Sequence, residues 1–131
     1  MPFIQNVPAI NIANSNYRVS PYSVLIQIGD FENPFFPDAT NLGFESIYRF
    51  KFDDSEEGDK AITNLQAMEI ANIIRHCKLH DKDIIVHCVA GLCRSGAVAE
   101  AAICYGFEDT GVRRQPNLRV KKLLLHNLGF P

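Results

Sequence analysis

The residues with the most evident chemistry stand together in IIVHCVAGLCRSGAV, Ile84 to Val98. Cys88 and Arg94 are six positions apart, Gly91 lies between them, and Ser95 and Gly96 follow at once. A thiolate is a strong nucleophile, and a guanidinium presents a planar fork that matches two oxygens of a phosphate. The apolar run Ile84, Ile85, Val86 reads as a buried strand, and Ser95 to Gly106 reads as a short Ala-rich helix closed by glycine. A strand, a glycine-bearing loop and a helix N-terminus together make an anion site, because loop N–H groups and the positive end of the helix converge on one point. Cys88 at the base of such a cup loses its proton readily. Arg94 closes the ring, Gly91 allows a backbone turn that a side chain forbids, and the Ser95 hydroxyl is placed to donate to the Cys88 sulfur.

Three competing readings of the stretch are weaker. An isolated cysteine after a strand is ordinarily a small buried hydrophobe, but then the arginine, the glycine and the Ser-Gly helix start would all be coincidence. A nucleotide-binding loop of the Walker type needs a lysine before its Ser or Thr, and GLCRSG has none. Zinc has His76, Cys77, His80, His87, Cys88 and Cys93 near one another in sequence, but no paired C-x-x-C.

The elements that must hold this loop follow from periodicity. Tyr22 to Asp30 carries Val24, Leu25, Ile26 and Ile28 before Gly29-Asp30, a strand; the Pro-rich segment after it is a surface loop. Ser46 to Phe52 alternates Ile47, Tyr48, Phe50 and Phe52 with charged residues, a second, half-buried strand. After the acidic segment DDSEEGD, a helix is expected from Lys60 to about Leu79, with Ile62, Leu65, Met68, Ala71, Ile74 and Cys77 along its apolar stripe. DKDIIVHC is nearly all apolar, as a central parallel strand covered on both faces would be. A last amphipathic helix starts at Pro116, turns Val120, Leu123, Leu124 and Leu128 to one side, and ends at Gly129. Strands alternating with helices predict an α/β fold, a central and mainly parallel sheet flanked by helices. The 131 residues suit a single domain, 1–131, in which residues 1–21 either fold onto the core or form an N-terminal arm.

Every fixed position of H-C-x-x-G-x-x-R-[ST] is present as His87, Cys88, Gly91, Arg94 and Ser95. VHCVAGLCRSG thus resembles the signature loop of the cysteine-based protein tyrosine and dual-specificity phosphatases. VRRQPNLRVKKLL looks like the downstream segment of the small dual-specificity enzymes, where Pro-Asn opens a helix beside the loop, and the order of elements is similar from about Tyr22 onward. The resemblance implies a dual-specificity phosphatase-like fold and a reaction through a phosphocysteine. In that reaction Cys88 attacks phosphorus, while Arg94 and the N–H groups of Val89, Ala90, Gly91, Leu92, Cys93 and Arg94 hold the equatorial oxygens. It also implies a general acid on an upstream loop. Asp54 matches best, because relatives have a similar Phe-x-Asp ending, and Asp53 is the alternative. Ser55, Glu56, Glu57 and Asp59 read as a solvated loop. His87 reads as a residue that orients the loop, Cys77 and Cys104 as core, and Cys93 as a tolerated small residue or a redox partner of Cys88.

The net charge of −2, from 13 basic and 15 acidic residues, advertises no nucleic acid and no acidic membrane surface. No run approaches the ~18 apolar residues of a membrane span, and the N-terminus lacks a secretory pattern, so the chain is expected to be cytoplasmic with reduced cysteines. The expected partner is a phosphoprotein or phosphopeptide substrate, with no cofactor or metal. The loop interior VAGLC has no lysine, which lowers the expectation of a phosphoinositide. Two other readings of the same loop stay open: a phosphate-binding module without turnover, and a thiol-dependent arsenate reductase or redox enzyme using Cys88 with Cys93.

Overall fold

Strands covered on both faces carry apolar side chains without alternation, and such runs build the centre of this protein. The computed structural model describes residues 1–131. Its elements are β1 (Phe3–Pro8), α1 (Ala9–Ala13), β2 (Ser23–Ile28), β3 (Ser46–Phe50), α2 (Asn64–Leu79), β4 (Asp83–Cys88), α3 (Arg94–Cys104), β5 (Glu108–Asp109) and α4 (Leu118–Asn127). The five strands form one sheet in the order β3-β2-β4-β1-β5, and every pairing is parallel. The fold is therefore α/β, as expected, with β4 at the middle. Loops at the carboxyl ends of such a sheet, where neighbouring strands connect in opposite directions, are the usual place for ligands. The loop after β4 occupies that place.

Alternation along the strands decides what each face receives. Val24, Ile26, Ile28, Ile84, Val86 and Cys88 join the large core beneath α2, α3 and α4. Val7, Leu25 and Ile85 point the other way, to a smaller cluster with Ile12 and Ala39. Cys88 thus faces the helices, and its neighbour His87 is turned to the opposite face.

The sequence reading needs correction at several elements. Of the two alternatives left open for residues 1–21, residues 3–8 take the core, where β1 pairs with β4 and shares its other edge with β5. Gln5, Asn6 and Pro8 hide this strand from a hydrophobicity pattern, yet Ile4, Asn6 and Val7 are all buried. The short β5 gives no signal because both its residues are exposed. The long helix begins at Asn64 rather than Lys60. Thr63 and Gln66 form a reciprocal capping box there, at 3.1 and 3.0 Å, that ends the preceding loop. Its buried stripe is Ala67, Ile70, Ala71, Ile74 and Cys77, so Leu65 and Met68 face solvent. The last helix starts at Leu118 with Asn117 as its cap, not at Pro116. Cys104, at the end of α3, is exposed rather than core. No helix is long and apolar enough to cross a membrane.

The position of β1 is testable through Ile4, which is fully buried. Ile4→Ala should lower the unfolding free energy by about 2–5 kcal/mol, as for a large core residue, in urea denaturation followed by circular dichroism. A change within about 0.5 kcal/mol, typical of a surface site, would contradict the placement of β1 in the core.

Candidate active site

The loop from Val89 to Cys93 turns its carbonyl groups outward. The Val89 carbonyl accepts from the Ala9 N–H at 3.2 Å, and the Leu92 carbonyl from the Gln115 N–H at 3.0 Å. The Cys93 carbonyl accepts from the Asn117 and Ala97 N–H groups at 2.9 and 3.0 Å. The Gly91 carbonyl accepts from the buried Asn6 side-chain amide at 2.7 Å. In a trans peptide the N–H points opposite to the C=O, so outward carbonyls turn the next residues' N–H groups inward. Those of Ala90, Leu92 and Cys93 make no hydrogen bond within the protein. The result is a ring of donors over Cys88, continuous with the N-terminus of α3.

Gly91 makes the ring geometrically feasible. Its φ is +74°, and a Cβ there would stand 2.4 Å from both the Pro8 nitrogen and the Val7 carbonyl carbon. Only glycine fits so close to β1 in this conformation. Pro8 brings no N–H to the contact, so the close approach buries no unpaired donor.

At the base of the ring the Cys88 Sγ lies 3.2 Å from the Ser95 Oγ. Burial alone would push the Cys88 thiol up. The Ser95 hydroxyl, the N–H groups of Ser95 and Gly91, and the Arg94 charge oppose it, and the balance holds the thiol below its ordinary value. Cys93 shifts the other way: partial burial and then the nearby Asp54 carboxylate push its thiol up. Of the two loop cysteines, Cys88 is the one disposed to be a thiolate, and both are free.

Arg94, the first residue of α3, donates from Nη1 to the Phe52 carbonyl at 2.8 Å. Its Nε is buried and has no protein partner. The guanidinium is thereby anchored to the chain just ahead of the acidic segment while one donor stays free. Asp54 accepts from the Asn117 Nδ2 at 2.8 Å, and the same nitrogen lies 3.3 Å from the Ser55 carbonyl. The Asn117 Oδ1 accepts from the Val120 N–H at 3.1 Å, capping α4. Asp54, Glu56 and Cys93 line a depression of about 250 Å³ beside the loop. Asp53 lines a different one, of about 380 Å³, with Lys51, Asp59 and Lys60. The structure therefore brings Cys88, Arg94, Ser95 and the loop 89–93 together, sets Asp54 beside Cys93 at the edge of that loop, and turns Asp53 to the other depression.

Behind the loop, the orientation of Gln27 is fixed by its partners. Its Oε1 accepts from the Arg49 Nε at 3.1 Å, and its Nε2 donates to the Pro37 carbonyl at 3.0 Å. The same Nε2 is 3.1 Å from the His87 Nε2, which must therefore be the unprotonated ring nitrogen. Burial first, and the Arg94 charge as well, push the His87 pKa down to about 4, so the ring is neutral near pH 7. Sequence reading missed Asn6, Gln27 and Asn117. Asn117 carried a signal, as the residue after proline at a helix start; Asn6 and Gln27 became meaningful only when parallel pairing set β1 and β2 on either side of β4. No group of three or more His, Cys, Asp or Glu residues is placed to hold a metal ion.

Two measurements follow. Ser95→Ala removes a hydrogen bond to a charged sulfur, and the pH midpoint of Cys88 alkylation by iodoacetamide should rise by about one unit. His87 binds a proton near 6.5 when unfolded but only near 4 when folded, so its contribution to stability is full above pH 6.5 and lost as the pH falls toward 4. That contribution is about 3 kcal/mol. In a His87→Gln variant, the fall in urea midpoint between pH 6.5 and 4 should be correspondingly shallower.

No family model and no curated protein matches this chain. Among solved structures it is similar to Tk-PTP in its active form, at 20% identity and a TM-score of 0.48, over 95% of this chain and 75% of that one. It is also similar to a glycine-to-alanine variant of Tk-PTP, at 20% identity and a TM-score of 0.48, over 97% of this chain and 80% of that one. Likeness at this level bears on neither the site nor its chemistry.

Proposed function

We propose that this chain is a cysteine-dependent phosphomonoester hydrolase of the protein tyrosine or dual-specificity phosphatase type, acting on phosphoproteins or phosphopeptides. One observation carries the reading: a thiol held below its ordinary pKa lies at the base of inward N–H groups, beside an arginine whose buried Nε has no partner. That array is complementary to a tetrahedral dianion, and its donors sit where charge develops as phosphorus is attacked. The Cys88 thiolate forms the sulfur–phosphorus bond as the ester oxygen–phosphorus bond breaks, and Asp54 gives its proton to the departing oxygen. Asp54 then takes a proton from water as that water attacks phosphorus. Phosphate leaves and the thiolate is restored. The Asn117 amide holds the Asp54 carboxylate beside the loop, and the Arg94 bond to the Phe52 carbonyl ties the acid's segment to the residue that grips phosphate. Nothing in this sequence of steps draws on a metal or cofactor, and the proposed setting is the cytoplasm, where the thiolate is preserved.

Hydrolysis of an aryl phosphate in the presence of a chelator tests the proposal. Cys88→Ser should abolish turnover. Asp54→Asn should slow it by ~10²–10⁴-fold and flatten the alkaline limb of the pH–rate profile, most for poor leaving groups, while Asp53→Asn has a much smaller effect. Undiminished turnover by Cys88→Ser would defeat the mechanism. Tight phosphopeptide binding with no turnover by the parent protein would identify a binding module instead.

A further inference from the structure

We infer that Asn6 is a positioning residue for the phosphate loop, a role that rests on the phosphatase reading above and goes beyond its signature residues. Asn6 lies inside β1, fully buried, in register with Val86 of β4. It shares with Ile4 the strand face turned toward the helices and toward Cys88. Its Nδ2 donates to the Gly91 carbonyl at 2.7 Å and to the Arg113 carbonyl at 3.1 Å, while its Oδ1 has no partner. For stability alone this is a poor choice. An apolar residue in the middle of a central strand would avoid burying a lone amide oxygen, which costs about 1–3 kcal/mol.

The geometry accounts for the choice. Gly91 has no Cβ, so its ψ is intrinsically freer than that of the other loop residues, and the plane of the peptide joining it to Leu92 must be fixed from outside. If that plane turned over, the Gly91 carbonyl would enter the cup, facing the thiolate and any bound anion, and the Leu92 N–H would leave it. The Asn6 amide latches the carbonyl outward. Its second hydrogen bond, to Arg113, ties the latch to the segment whose Gln115 and Asn117 N–H groups hold the next two carbonyls of the loop. Both partners are carbonyl oxygens, so the residue must donate twice; aspartate has the same shape and cannot.

Asn6→Ala and Asn6→Asp decide the matter, with folding checked by near-ultraviolet circular dichroism. The probes are inorganic phosphate as a competitive inhibitor and the pH dependence of Cys88 alkylation. Both variants should bind phosphate at least ~10-fold more weakly, and the alkylation midpoint should move to higher pH, because the N–H groups no longer converge on the sulfur. Turnover should fall chiefly in kcat, by ~10²-fold. Folded variants with the parent's phosphate affinity and alkylation profile would overturn the inference, leaving Asn6 a structural residue. If Asn6→Ala does not fold, Asn6→Ser, which keeps one donor, replaces it. Failure of both to fold would equally assign Asn6 to structure alone. A parent protein that neither binds phosphate nor has an acidified Cys88 would instead remove the phosphatase reading itself, and the inference with it.

Discussion

The loop after β4 lies so close to β1 that no side chain fits between them, and the carboxyl end of the sheet is organised around this contact. Gly91 stands where a Cβ would meet the backbone of Val7 and Pro8 at 2.4 Å. At that distance the loop cannot choose its own conformation. Its carbonyls are drawn to donors on β1, on the start of α1 and on the chain ahead of α4, and its N–H groups are left facing Cys88. An anion cup is thus produced by tying down the outside of a loop, rather than by any attraction within it. Ordered donors of this kind need no reorganisation when charge arrives.

The cost of this arrangement is concentrated at the same place. Five of the six buried polar residues, Asn6, Gln27, His87, Ser95 and Asn117, belong to the loop or to its supports. All three buried side-chain atoms without a partner, Asn6 Oδ1, His87 Nδ1 and Arg94 Nε, lie there too. Unpaired buried polar atoms are rare because each is expensive, and here all three are confined to one end of the sheet. Elsewhere the core is apolar and continuous beneath α2, α3 and α4, and it supplies the stability that the site spends.

The site's electrostatics are local. With a net charge of −2 the chain has no long-range positive field to gather anions. What favours a thiolate is a hydroxyl at 3.2 Å, two N–H groups and one guanidinium, working against burial. The Arg94 hydrogen bond to the Phe52 carbonyl and the Asn117 bond to Asp54 link this pocket to the acidic segment, so the donor-lined loop and the Asp54 carboxylate are connected through hydrogen bonds.

The signature residues were legible in the sequence because they are local. Cys88, Gly91, Arg94 and Ser95 fall within eight residues, and a strand followed by a helix leaves a short loop little freedom. The α/β class was equally legible, since runs such as IIVHC and VLIQI, apolar without alternation and separated by helical segments, are what a parallel sheet covered on both faces carries. Asp54 over Asp53 rested on resemblance in the sequence. The partner that holds the Asp54 carboxylate in the structure, the Asn117 amide, lies 63 positions away and could not be read locally. β1 was invisible to a hydrophobic pattern, because its middle residue is an asparagine whose partners lie 85 and 107 positions along the chain. Periodicity records how a segment meets the core as a whole. It does not record a buried amide that serves one distant carbonyl, nor a glycine made necessary by a neighbouring strand. The sequence by itself determined the chemical groups of the loop and the class of fold around them. Only the tertiary structure decided which way the loop's peptides face, because that depends on β1 lying beside β4, a pairing between segments 80 residues apart.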